Sequence, residues 1–142
     1  MLASVKVGEW QGIGRARALV TRHLGELQAT ELATHVTLNL ENGRQRILVA
    51  TDLGLLDYNY SKPEPNSPID NLRGTLHRWT SVRAFRLQAD AQWDEGDQTA
   101  RSVWRLVADE PRVELLAESA EGDRAAAPLL EFARACLAQL ES

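Results

Sequence analysis

The sequence predicts an α+β fold, mainly β: seven antiparallel strands preceded by one amphipathic helix and followed by another. Three observations lead there. Asn42-Gly43 sits between two β-rich runs of ATHVTLNLENGRQRILVATDLGLLDYNY, residues 33–60, and Asn-Gly supplies the positive-φ pair that a tight hairpin turn needs. Across most of residues 34–118 apolar side chains recur at every second position, the repeat of a strand. Near each end they recur at three- and four-residue steps instead, the repeat of a helix with one buried face. No β-α-β alternation is present, which argues against most nucleotide-binding α/β folds.

The elements follow in order. In 13–27, Ile13, Ala16, Val20, Leu24 and Leu27 form a stripe that Arg15, Arg17 and Arg22 largely avoid. That is a helix with one face on the core, within an N-terminal extension over about residues 10–28. In 34–41, Val36, Leu38 and Leu40 alternate with His35, Thr37 and Asn39, as a half-buried strand requires. Ile47, Leu48, Val49 and Ala50 are continuous, so the strand over 45–52 is expected to be covered on both faces. In 55–60, Leu56, Tyr58 and Tyr60 share one side and Asp57 and Asn59 the other. Pro63, Pro65 and Pro68 make 61–72 a loop, long enough to be a candidate functional segment. Strands are expected over 73–80 and 82–93, with Phe85, Leu87, Ala89, Ala91 and Trp93 on one face. The DEGDQ turn leads into 99–108, and Asp109-Glu110-Pro111 turns the chain into a seventh strand carrying Val113, Leu115 and Ala117. Together the strands span about 33–119. Gly122-Asp123 marks the start of a C-terminal helix over about 125–141, with Leu129, Ala133, Cys136, Leu137 and Leu140 as its stripe.

The 142 residues form one domain on this reading, 1–142, with no repeat or linker. No apolar run reaches the ~20 residues of a membrane-spanning helix, so no integral membrane association is expected. Signal-peptide character is missing from MLASVKVGEW, and the single Cys136 forms no internal disulfide; a cytoplasmic location is the default. A net charge of −4 argues against nucleic acid as a partner. The charge is uneven: residues 1–25 carry +3 and residues 109–142 carry −5. These segments are expected to meet as complementary solvated faces rather than to form a binding patch.

Signals for chemistry are weak. Gly12-Ile13-Gly14-Arg15 precedes a helix, but Arg17 takes the third glycine position of a dinucleotide loop, where a bulky side chain spoils the packing. His23, His35 and His77 have no metal-ligand neighbours at suitable spacing, and Cys136 lies on an apolar stripe, so no metal site and no cofactor are assigned. Ser61, Ser67, Ser81 and Ser102 occupy no nucleophile-elbow pattern, and no catalytic residue is assigned. Asp52 and Asp57 border one turn, where acids ordinarily bond the local backbone. Trp93 and Trp104 are read as core residues. Trp79, with His77 on its face of the strand, is a candidate ligand contact.

Seven antiparallel strands closed by one C-terminal helix resemble the bacterial pleckstrin-homology-like (PH-like) barrel. The stretch ILVATDLGLLDYNY resembles its second hairpin and LLEFARACLAQL its capping helix. The resemblance implies a scaffold for binding lipids, peptides or other domains. It points to a non-catalytic binding or assembly module, with a protein partner or a homo-oligomer. The family's phosphoinositide-binding members carry a lysine ahead of a basic pair in the first hairpin. Only Arg44 and Arg46 match here, with Glu41 beside them, which weighs against phosphoinositide binding. The candidate surface is therefore the Arg44/Arg46 hairpin with Lys62 in the Pro-rich loop, plus His77 and Trp79. A START-like helix-grip fold is the alternative, with Tyr58, His77 and Trp79 lining a pocket for a small hydrophobic ligand and room for an enzymatic activity.

Overall fold

Among the described residues, strand-period and helix-period patterning resolve into seven strands and two α-helices. The structure, a computed structural model, describes residues 15–38, 45–61, 71–120 and 125–141. Helix α1 (Arg15–Leu27) precedes strands β1 (Glu31–Leu38), β2 (Gln45–Thr51), β3 (Gly54–Ser61) and β4 (Asn71–Arg78). A short 3-10 turn (Trp79–Ser81) leads to β5 (Arg86–Asp94), β6 (Thr99–Asp109) and β7 (Arg112–Ala120), and helix α2 (Ala127–Glu141) closes the order. The Asn42-Gly43 turn, Trp10, the Gly12–Gly14 segment and Gly122-Asp123 lie outside the described residues. The pairing of Leu38 with Gln45 and of Thr37 with Arg46 gives the antiparallel hairpin that the Asn-Gly dipeptide implies.

The strands form two antiparallel sheets, β1-β2-β3-β4 and β5-β6-β7, which do not close into the expected barrel. Closure would need ladders between β4 and β5 and between β7 and β1, and among the described residues neither pair is hydrogen-bonded; between β4 and β5 the chain instead makes a tight connection. The Trp79 indole Nε1–H donates to the Thr51 carbonyl at 2.9 Å, drawing the chain into the 3-10 turn at the end of β4. Arg83 is then held at the opposite sheet, its N–H donating to Glu110 O at 2.8 Å and its carbonyl accepting from Asp109 N–H at 3.0 Å. Val82 and Phe85 turn onto the core. The strand expected over 82–93 therefore starts only at Arg86.

Two apolar cores lie on the two faces of the four-stranded sheet. On one face, Ala16, Val20 and Leu24 of α1 pack on Val36, Ile47, Val49, Leu56 and Tyr58. On the other, Leu129, Phe132, Ala133 and Cys136 of α2 pack on Leu48, Ala50 and Leu55 and reach Leu106, Ala108, Val113 and Leu115 of the second sheet. The continuous Ile47–Ala50 run is buried on both faces, as its pattern requires. In β1 the expectation of one wet face is corrected: His35 is turned inward, its ring centroid 5.9 Å from that of Phe132, because α2 covers that side. Since α1 and α2 occupy opposite faces of one sheet, the described part of the basic N-terminal segment does not meet α2. The expected pairing of complementary charged ends also involves residues 1–14, which lie outside the described residues.

Leu27 departs from its stripe, being 41% exposed at the end of α1. Trp93 departs further. Its alternation places it on the core-facing side of β5, yet it is 56% exposed, because the sheet runs on past the apolar groups that would cover it. Trp104, on the neighbouring strand and nearer the centre, packs against the core as expected.

Candidate functional site

The residues expected to form one surface are divided by the length of the first sheet. Leu38 pairs with Gln45 and Ser61 with Asn71, so the connections after β1 and β3 leave the sheet from the same end. Arg44 and Lys62 belong to those connections and lie outside the described residues. Arg46 stands at that end of β2. His77 pairs with Leu55, itself paired with Ala50, four residues along β2 from Arg46. At about 3.4 Å per residue that is an offset of roughly 14 Å along the strand direction, with two strand spacings besides.

Arg46 is not an open ligand contact. Its Nε and Nη2 donate to Asp57 Oδ1 and Oδ2 at 2.9 and 2.7 Å, a fork-to-fork pair that occupies both carboxylate oxygens. The pair sits on the α2 side of the sheet with side chains 29% and 13% exposed. Asp57 thus serves Arg46, and Asp52 Oδ1 accepts from the Thr30 N–H at 2.7 Å, so the two turn acids hold structure rather than form a carboxylate pair. Thr51 organises the same turn: its hydroxyl donates to Gly54 O at 2.7 Å and accepts from the N–H groups of Leu53 and Gly54 at 3.1 Å. Trp79 is likewise a structural clamp, with its indole N–H bound to this turn.

The START-like grouping of Tyr58, His77 and Trp79 is also divided. Tyr58 faces α1, whereas His77 shares the face of its partner Leu55, which belongs to the core beneath α2. What Tyr58 does meet is His23, a residue absent from the candidate set. The phenol oxygen lies 3.2 Å from His23 Nδ1, and the rings stack with centroids 5.8 Å apart. Burial raises the Tyr58 pKa above its ordinary value, so the phenol keeps its proton and can donate to an unprotonated Nδ1. The pair borders a cleft of about 330 Å³ with Glu26, Leu27, Leu56, Gly74 and Leu76. A polar pair over a leucine floor can orient a small amphipathic molecule. Thirty-five residues separate His23 from Tyr58 on elements that meet only through the α1–sheet packing, and no spacing in the sequence signals the pair.

Gly74 shapes this cleft. It pairs with Tyr58, and a Cβ there would collide with the Cδ1 and Cε1 atoms of the Tyr58 ring. Gly74→Ala is expected to destabilise the fold by about 1–3 kcal/mol through overpacking and to displace the ring from His23. Urea titration followed by tryptophan fluorescence checks this, and an unchanged midpoint would remove the close approach from the account.

Cys136 is fully buried in the core under α2, and burial pushes its thiol up to about 12. It is a small apolar core residue there, not a nucleophile. No cluster of three or more His, Cys, Asp or Glu gathers among the described residues, and among them no helix is long and apolar enough to cross a membrane.

Among the described residues, the most exposed large apolar side chains, Trp93 and Leu116, lie on the outer half of the β5-β6-β7 sheet. On its core-facing side Leu87, Ala89, Ala91 and Trp93 pair with Leu106, Trp104, Ser102 and Ala100. Leu87, Leu106 and Trp104 belong to the core, and the strand then continues into solvent through Ala89, Ala91 and Trp93. On the reverse side Leu116 is also 56% exposed, bordering a shallow depression of about 780 Å³ with Asp90, Arg101 and Arg105. Compared with family models, curated proteins and solved structures, the chain matches none.

Proposed function

We propose that this chain is a non-catalytic binding module on a PH-like scaffold, acting in the cytoplasm, with another protein as its partner. The observation that carries the reading is Trp93, more than half exposed on the continuation of a core-facing sheet surface. A tryptophan left in water at the end of an apolar strand face favours burial against a second surface, and its flat rigid ring suits protein contacts. The 4 + 3 strand arrangement with a C-terminal helix between the sheets supports the PH-like scaffold, and a buried unpaired Cys136 suits a reducing compartment. The partner surface on this reading is the outer half of β5-β6-β7, not the Arg46 end of the first sheet.

Photo-crosslinking tests the reading directly. A benzophenone side chain at position 93 should give a discrete protein adduct in cells, while the same group at exposed Ala18 on α1 should not. Equal labelling from both positions, or none from position 93, would remove this surface as the binding face.

A further inference from the structure

Strand β5 is an edge strand of its sheet, and its sequence reads almost the same in both directions: Arg86-Leu87-Gln88-Ala89-Asp90-Ala91-Gln92-Trp93-Asp94. From Gln88 to Gln92 the palindrome about Asp90 is perfect. One residue further out it sets an apolar side chain opposite an apolar one, and at the ends it sets Arg86 opposite Asp94. We propose that the protein partner is a second copy of this chain, joined by antiparallel pairing of the two β5 strands about a twofold axis at Asp90. The proposal rests on the reading of this sheet as a protein-binding surface and names its occupant.

The pairing is dictated by symmetry. In an antiparallel pair, residues directly opposite one another share a face, and a closed twofold contact places each residue against its mirror position. With Asp90 on the axis, Leu87 faces the partner's Trp93 and Ala89 the partner's Ala91, all on the core-facing side. Ala89, Ala91 and Trp93 are exposed on that side, so the contact buries Trp93 against Leu87. On the reverse side Gln88 faces the partner's Gln92, amide to amide, and Arg86 faces the partner's Asp94, an opposite-charge pair formed twice. Two three-stranded sheets become one six-stranded sheet, which removes two exposed edges.

The one unfavourable pair is Asp90 against its own copy. The fold supplies its compensation. Asp90 pairs with Val103 on β6, and Arg101 and Arg105 stand two residues to either side of Val103 on the same face. They are the diagonal neighbours of Asp90, within reach of long side chains. Each carboxylate on the axis therefore has two arginines of its own chain at diagonal register positions; Arg105 also faces Glu114 Oε1 at a long 3.9 Å, and Glu118 pairs with Val103 on the same face, so the compensation is partial. Arg86 reaches Ala84 O at 2.8 Å and Asp109 Oδ1 at a long 3.4 Å, and Asp94 uses only its Oδ1 to accept from the Gly96 and Asp97 N–H groups. Both side chains retain hydrogen-bonding capacity for a partner.

Sedimentation velocity across a concentration series reads the result. The wild-type chain should shift from its 15.8 kDa mass to twice that mass as concentration rises. Arg86→Asp and Asp94→Arg should each abolish the shift by opposing like charges at both ends of the ladder, and the double reversal should restore it. Asp90→Asn removes the repulsion on the axis and should tighten association roughly two- to fivefold. A wild-type chain that stays monomeric, a double reversal that fails to rescue, or weaker association of Asp90→Asn would each overturn the proposal. If self-association is absent while the position-93 crosslinker captures a different protein, the proposal falls and the binding surface stands. If neither occurs, both fall.

Discussion

Phe132→Ala is expected to lower the stability of the fold by about 3–5 kcal/mol, the usual cost of removing a fully buried aromatic ring and leaving the space behind. Phe132 is 1% exposed at the centre of the core beneath α2, where the helix meets Leu48, Ala50 and Leu55 of one sheet and Leu106, Ala108, Val113 and Leu115 of the other. The two sheets share no ladder, so this apolar contact is a main tie between them. Against the 5–15 kcal/mol typical of a domain, the loss is severe. Chemical denaturation should show a lower midpoint. A reduced slope would show, in addition, that the sheets no longer unfold as one unit. A loss below about 1 kcal/mol would mean that α2 is not docked as described.

Acid should destabilise the protein through His35. Its ring is enclosed between β1 and α2, its Nδ1 is buried with no hydrogen-bond partner among the described residues, and burial pushes its pKa down from 6.5 to about 4. Between those two values the unfolded chain binds the proton and the folded chain does not. Stability is therefore greatest above about pH 6.5 and falls as the pH drops toward 4, with the loss complete only below the folded value. The full difference corresponds to about 3 kcal/mol. His35→Leu retains an apolar side chain in that space and removes the titration. Urea denaturation at pH 7, 5.5 and 4.5 should give a flatter dependence for the variant than for the wild type. Parallel curves would exclude His35 as the source.

Much of the fold was legible because its signals are local. Asn42-Gly43 between β-rich runs implied a hairpin, and the β1–β2 register bears it out. The unbroken Ile47–Ala50 run implied a strand with two covered faces, and helices lie on both. The stripe at Leu129, Ala133 and Cys136 identified the face by which α2 docks.

The candidate site was legible only in part, because side-chain alternation assigns a residue to a face without saying what lies over it. Trp93 and Trp104 carry the same pattern, yet only Trp104 has core beneath it. His35 sits at a position that reads as solvent-facing, and α2 covers it. Arg46 reads as an open cation until β3 brings Asp57 across the ladder. His23 and Tyr58 meet because one helix packs on one sheet face, an event with no short-range signature.

Among the described residues, the sequence by itself determined the seven strands, their antiparallel sense, the two helices and the apolar face of most elements, since these follow from turn chemistry and periodicity within a few residues. Tertiary structure alone decided that the strands stay as two sheets, that the expected surface divides along the first of them, and that β5 carries its apolar face beyond the core. Those outcomes depend on where elements stop relative to one another, and packing between distant segments sets that.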